Sequence, residues 1–159
     1  MSSRSAVFAV AAISLMLSSF PHAQTSIEAA KPKFDPELAN TVGADDYGMK
    51  SYVLVVLKTG PNKIPPGKER EDMYKGHFAN MNRLAAERKL ALAGPFDGVD
   101  GWRGLFIFAV ADIDEAKKYV ATDPVIINGE MIAEYHKYYG SAALMLVNEA
   151  HDKVAKKSF

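Results

Sequence analysis

The sequence predicts an α+β fold, a ferredoxin-like βαββαβ unit with an extra C-terminal strand. Two observations carry this. One is the order of elements that hydrophobic periodicity gives along residues 49–150: strand, helix, strand, strand, helix, strand. The other is a pair of short, nearly unbroken apolar runs, Tyr52 to Leu57 and Leu105 to Val110. Such runs, bounded by turn residues, read as strands apolar on both faces, whereas a half-buried strand alternates. In the ferredoxin-like order the first and third strands are the central pair, and these are the strands that carry the runs. The chain offers only two strong helices, so a second subunit is expected to cover the other face of the sheet.

Residues 1–23 are expected to be a cleavable secretory signal peptide. Arg4 supplies a positive start, Ala6 to Leu17 a short apolar core, and Ser18 to Ala23 an approach to a cleavage site. The core is too short to span a membrane. The cut is expected before Gln24. Pro21 is unusual three positions before it, so a cut after Ala29 is the alternative, and a buried N-terminal helix is the competing reading. The mature chain is thus expected to be periplasmic or secreted. Residues 24–48, with Pro32, Pro36 and Gly43, read as an extended lead-in. Met49 sits where a shorter, unexported relative would begin.

The first strand is followed by breakers, Thr59-Gly60-Pro61-Asn62 and Pro65-Pro66-Gly67. A helix then spans about Glu69 to Lys89, with an acidic first turn and a basic last turn that suit its dipole. Its apolar stripe is Met73, His77, Met81 and Leu84, flanked by Tyr74, Phe78 and Ala85, which turns His77 toward the sheet. Leu90 to Phe96 is a second strand, placed at an edge by Pro95. Gly104 to Val110 is the third. Asp112 caps a second helix, with Glu115 three residues on. Asp123-Pro124 ends it, and Val125 to Gly129 is a short turn. Met131 to Tyr138 is the fourth strand, Ala142 to Val147 the extra fifth, and residues 151–159 a polar tail.

Composition narrows the function. The full chain has 19 basic and 19 acidic residues and no cysteine. Without Arg4 the remainder keeps 18 basic residues against 19 acidic, with no basic stripe, so nucleic acid is not an expected partner. No second apolar segment reaches spanning length, so no membrane association is expected after cleavage. Glycine-rich nucleotide loops, a serine nucleophile elbow and paired metal-ligand motifs are lacking, so no cofactor or metal is expected. His77 and His136 with Glu134 form only a weak set of metal donors.

His77 followed by Leu84, Gly94-Pro95, Gly104 ahead of an apolar strand, and Asp123-Pro124 followed by Gly129 resemble the YCII-related (YciI-like) family over about Met49 to Val147. The resemblance implies a subunit that dimerises sheet to sheet into an α+β barrel. It also implies a pocket with a His–Asp acid–base pair. Relatives include dehydrochlorinases acting on small ring compounds, and many members have no assigned activity. By position the histidine is His77. The aspartate is Asp123, with Asp97 as a rival. An imidazole moves protons near neutral pH, and a carboxylate on its other nitrogen orients it. The competing readings are a core histidine bonded to a backbone carbonyl and an aspartate that only caps the turn at Pro124.

A second group is local to this chain. Glu134, His136 and Tyr138 alternate on one face of the fourth strand, and Trp102 and Arg103 follow a turn. These are candidate ligand contacts if that face looks into the barrel. An aromatic beside a cation is suited to an anionic or aromatic ligand. The expectation is an exported, dimeric protein doing isomerase- or lyase-type chemistry on a small ring compound. The alternative is a non-catalytic ligand-binding or assembly module.

Overall fold

The computed structural model describes residues 33–157. The expected signal peptide and the lead-in up to residue 32 lie outside the described residues. Four strands form one antiparallel sheet: β1 (Met49–Thr59), β2 (Leu90–Pro95), β3 (Trp102–Phe108) and β4 (Met131–Ser141). Their spatial order is β2-β3-β1-β4, with β1 antiparallel to both neighbours. This is the ferredoxin-like order, with the two apolar runs at the centre as the sequence predicts.

Alternation along β1 divides its side chains between two layers. Val53, Val55 and Leu57 face the helices α2 (Lys68–Ala86) and α3 (Ile113–Val120), where they are buried among Met73, Leu84, Phe106, Phe108 and Val120. Each such side chain contributes about 1.5–3 kcal/mol by leaving water. Asp112 caps α3 as predicted, accepting from the amides of Asp114 and Glu115. Helix α2 stops at Ala86, three residues before the predicted end. Arg88 takes a left-handed conformation, and the amides of Arg88 and Lys89 return to Ala85 and Leu84. That closure normally carries glycine, so arginine there hides it from sequence reading.

Two elements differ from expectation. The lead-in is not extended throughout, because α1 (Pro36–Val42) is a helix capped by Asp35 and closed by Gly43. Pro36 and Gly43 read as breakers but occupy the first helical position and the C-terminal cap, where these residues are favoured. The fifth strand is absent. Ala142–Leu146 is a 3-10 turn, and Val147–Val154 is a helix, α5, which takes in the start of the expected polar tail. Strand β4 extends to Ser141 and pairs with β1 along its whole length, while β3 occupies the other edge of β1. The Ala-Leu-Met composition of the segment instead favours helical turns. Leu144 and Met145 pack on Tyr52, Ala91 and Ile107. The sheet face remote from α2 is therefore covered in part by the chain's own C-terminal segment.

The loop after β1 is clipped to the start of β4. Gly60 donates to the Glu130 carbonyl at 2.9 Å and Asn62 to the Gly129 carbonyl at 3.1 Å. A Cβ on Gly60 would lie 2.1 Å from the Gly129 oxygen. Gly60→Ala is expected to destabilise the domain by about 1–3 kcal/mol, because backbone must move. Urea unfolding checks this, and a midpoint equal to wild type contradicts it.

Candidate functional site

His77 lies on the inner face of α2. Asp123 precedes α4 (Pro124–Ile127), a single turn packed against α2. Proline at the first helical position and aspartate at the cap start that turn, with Asp123 Oδ1 accepting from the Val125 amide at 3.1 Å. Gly76 permits the close approach, since a Cβ there would sit 3.0 Å from Pro124 Cγ. The result joins the two residues. Nδ1 of His77 is 2.9 and 2.8 Å from the two oxygens of Asp123. The pair is buried, with His77 7% and Asp123 1% exposed. Asp97, the rival, accepts only from the nearby Val99 amide and takes no part.

The geometry sets the roles of the ring nitrogens. An ionised carboxylate only accepts hydrogen bonds, so Nδ1 carries a proton and donates it. In the neutral ring Nε2 is then a lone pair. Among the described residues Nε2 has no hydrogen-bond partner. Its lone pair is thus not engaged by any described residue. Phe106 stacks on the imidazole at 6.1 Å, and Tyr74 meets it edge-on at 6.0 Å. The ring is fixed on one side by charge and on the others by aromatic packing.

Tyr74 leads to a second polar group. Its hydroxyl accepts from Arg103 at 3.0 Å and, more weakly, from Arg70 at 3.4 Å. Arg70 also bonds Glu130 Oε1 at 2.7 Å, and the Ile64 amide bonds Glu130 Oε2 at 3.0 Å. Glu130 is only 5% exposed. The Arg70 hydrogen bond above all, helped by the Ile64 amide, holds its carboxyl below the usual range against the opposing effect of burial. Arg70, Arg103 and Glu130 border a cleft of about 400 Å³ that Thr59, Ile64 and Pro65 complete, with Tyr74 behind Arg103.

A depressed carboxyl stabilises the fold at pH values above its unfolded value and loses that contribution as pH falls through the folded one. Glu130→Gln is thus expected to cost about 1–2 kcal/mol at pH 7, discounted because Arg70 is partly exposed. The gap to wild type should narrow below about pH 4.5, the ordinary carboxyl value. Chemical denaturation across pH 3–7 checks this, and a constant gap contradicts it.

The other predicted contacts are not brought to His77 within the chain. Glu134, His136 and Tyr138 share one face, as predicted, opposite Val56, Leu54 and Tyr52. That face is remote from α2, so the sheet separates them from His77. Glu134 there takes hydrogen bonds from Lys58 at 3.0 Å and His136 at 2.9 Å, and these hold its carboxyl below the usual range. Trp102 is exposed and packs on Phe96. Among the described residues no three His, Cys, Asp or Glu side chains converge as a metal-ligand set. Sequence reasoning missed Arg70 and Glu130 and gave Tyr74 only a packing role. The spacing of Arg70, Tyr74 and His77, four and then three residues apart, places them on one helix face and was a usable signal.

The model of the YCII-related domain matches residues 51–136, a span that holds both His77 and Asp123. An uncharacterized protein, YjpA of Bacillus subtilis (strain 168), is 26% identical over 81 residues, covering 51% of this chain and 85% of that one. Among solved structures, 5-chloro-2-hydroxyhydroquinone dehydrochlorinase (TftG) from Burkholderia phenoliruptrix AC1100, in complex with 2,5-dihydroxybenzoquinone, is 26% identical. That match covers 52% of this chain and 90% of the other, with a TM-score of 0.38. The chain belongs to the YCII-related family.

Proposed function

We propose that this YCII-related protein is an exported, dimeric enzyme of isomerase or lyase type. It performs cofactor-free acid–base chemistry on a small, ring-shaped organic compound, with His77 as the proton acceptor. The observation that carries the reading is the buried Nδ1–Asp123 contact at 2.8 Å, which leaves Nε2 as the free basic nitrogen. A carboxylate in this position fixes the tautomer and stabilises the imidazolium formed when Nε2 takes a proton.

Both reaction types follow from one proton transfer. Nε2 removes a proton from a carbon activated by a neighbouring carbonyl, and the C–H electron pair moves into the ring as an enolate. If His77 returns the proton to another carbon, the product is an isomer. If the electrons expel a leaving group on the adjacent carbon, the product is an alkene or aromatic ring plus the departing anion, and the imidazolium gives its proton to that anion or to water. Export rests on the signal-peptide pattern of residues 1–23. Dimerisation through the sheet face remote from α2 is favoured by its half-exposed aromatic and polar surface, with Tyr138 beside Tyr52. In such a dimer Glu134, His136 and Tyr138 would line the shared barrel, and Trp102 would border it.

The test is a screen of small lactones, halogenated ring acids and hydroxylated ring ketones with wild type and a His77 variant. Turnover that requires His77 supports the proposal. Equal turnover in both places the chemistry elsewhere.

A further inference from the structure

Arg103 reaches the cleft only because strand β3 is irregular. Leu57 pairs with Gly104 and Lys58 with Trp102, so Arg103 has no partner on β1. This is a β-bulge, one extra residue that re-aims a side chain. Regular alternation would put Arg103 on the face of Leu105 and Ile107, remote from α2. The bulge turns it instead to the hydroxyl of Tyr74 on α2. Its carbonyl meanwhile accepts from the Phe96 amide, which holds the bulge in the sheet.

Among the described residues Arg103 makes no direct ion pair, although its charge helps to hold the Glu130 carboxyl down from a distance. Its only hydrogen-bond partner among the described residues is the Tyr74 hydroxyl, and no carboxylate lies within 4.0 Å of it. A guanidinium has five donors, so most of them are unused. Glu130, the one acid bordering the cleft, has both oxygens engaged, by Arg70 and by the Ile64 amide. Lys63 on the same wall also lacks an acidic partner, so the cleft carries a net positive charge. Ile64, Pro65 and Pro66 give it an apolar side. Its volume of about 400 Å³ falls in the range that holds small organic ligands.

We infer that this cleft binds the anionic group of a small organic acid, a carboxylate, with Arg103 as the recognition residue. The fork of the guanidinium matches a carboxylate, the apolar wall takes the body of the molecule, and Tyr74 links the bound end to the imidazole of His77. The inference requires a binding event only and does not depend on His77 performing chemistry.

The experiment is titration of the full-length protein with benzoate, with benzamide as the uncharged isostere and with inorganic phosphate, followed by calorimetry and by the side-chain resonances of Arg103 and Tyr74. Benzoate is expected to bind roughly tenfold or more tighter than benzamide. Arg103→Met should abolish that preference, Arg103→Lys should keep part of it, and His77→Asn should leave it in place. Benzoate binding with His77-dependent turnover absent would sustain this inference while the proposed chemistry fails. Equal affinity for benzoate and benzamide, binding of phosphate alone, unchanged benzoate affinity in Arg103→Met, or no binding at all would overturn it.

Discussion

His77→Ala is expected to lower kcat/KM by about 10²–10⁴-fold, the range for loss of a positioned general base. It should also reduce stability. Removing the imidazole strands a buried carboxylate that keeps only the Val125 amide, at a cost of about 1–3 kcal/mol. Alanine alone therefore mixes two effects. His77→Asn separates them, because its amide nitrogen stands close to the place of Nδ1 and can still donate to Asp123. Asparagine has nothing at Nε2. We expect stability to return most of the way to wild type in His77→Asn while turnover stays lost. Turnover restored along with stability would show that the histidine is structural. Urea unfolding and a single-substrate assay on three proteins suffice.

Asp123→Asn is expected to cost less stability and nearly as much activity. Asparagine is as good a cap as aspartate, so α4 should still form. Its side chain, however, presents a donor as well as an acceptor. With the carbonyl oxygen held by the Val125 amide, the NH₂ group faces Nδ1 and favours the tautomer with hydrogen on Nε2. That tautomer cannot accept a proton at Nε2. The same exchange in serine-protease triads costs on the order of 10⁴ in kcat. Asp123→Ala should add the loss of the cap, a further 0.5–2 kcal/mol or about that size. If Asp123→Asn turns over at the wild-type rate, the aspartate serves only to start the helix.

The fold and the orientation of His77 were legible for physical reasons that can be named. Two-sided burial of β1 and β3 leaves no polar alternation, and the 3.6-residue spacing of Met73, His77, Met81 and Leu84 fixes which way His77 points. Asp123 was reached through the resemblance to the YCII-related family, since its Asp-Pro signature alone reads as a helix start. What escaped reading depended on three-dimensional context. Arg88 closes α2 in a conformation that glycine usually marks. Ala142 to Val147 is a short apolar run, and such runs suit a buried strand or a helical turn equally until neighbours decide. Burial of Glu130 comes from Arg70, sixty residues away in sequence. The bulge at Arg103 arises from register between strands, which the pattern along a single strand does not reveal.

The proton on the imidazole of His77 can be located without a substrate. Long-range ¹H–¹⁵N correlation spectra of the histidine side chains report which ring nitrogen is protonated. Neutral His77 is expected to carry a protonated Nδ1 and an unprotonated Nε2, with Asp123→Asn reversing the two. A wild-type spectrum with hydrogen on Nε2 and a bare Nδ1 would contradict this, because the nitrogen not bonded to Asp123 would then have no lone pair to accept a proton.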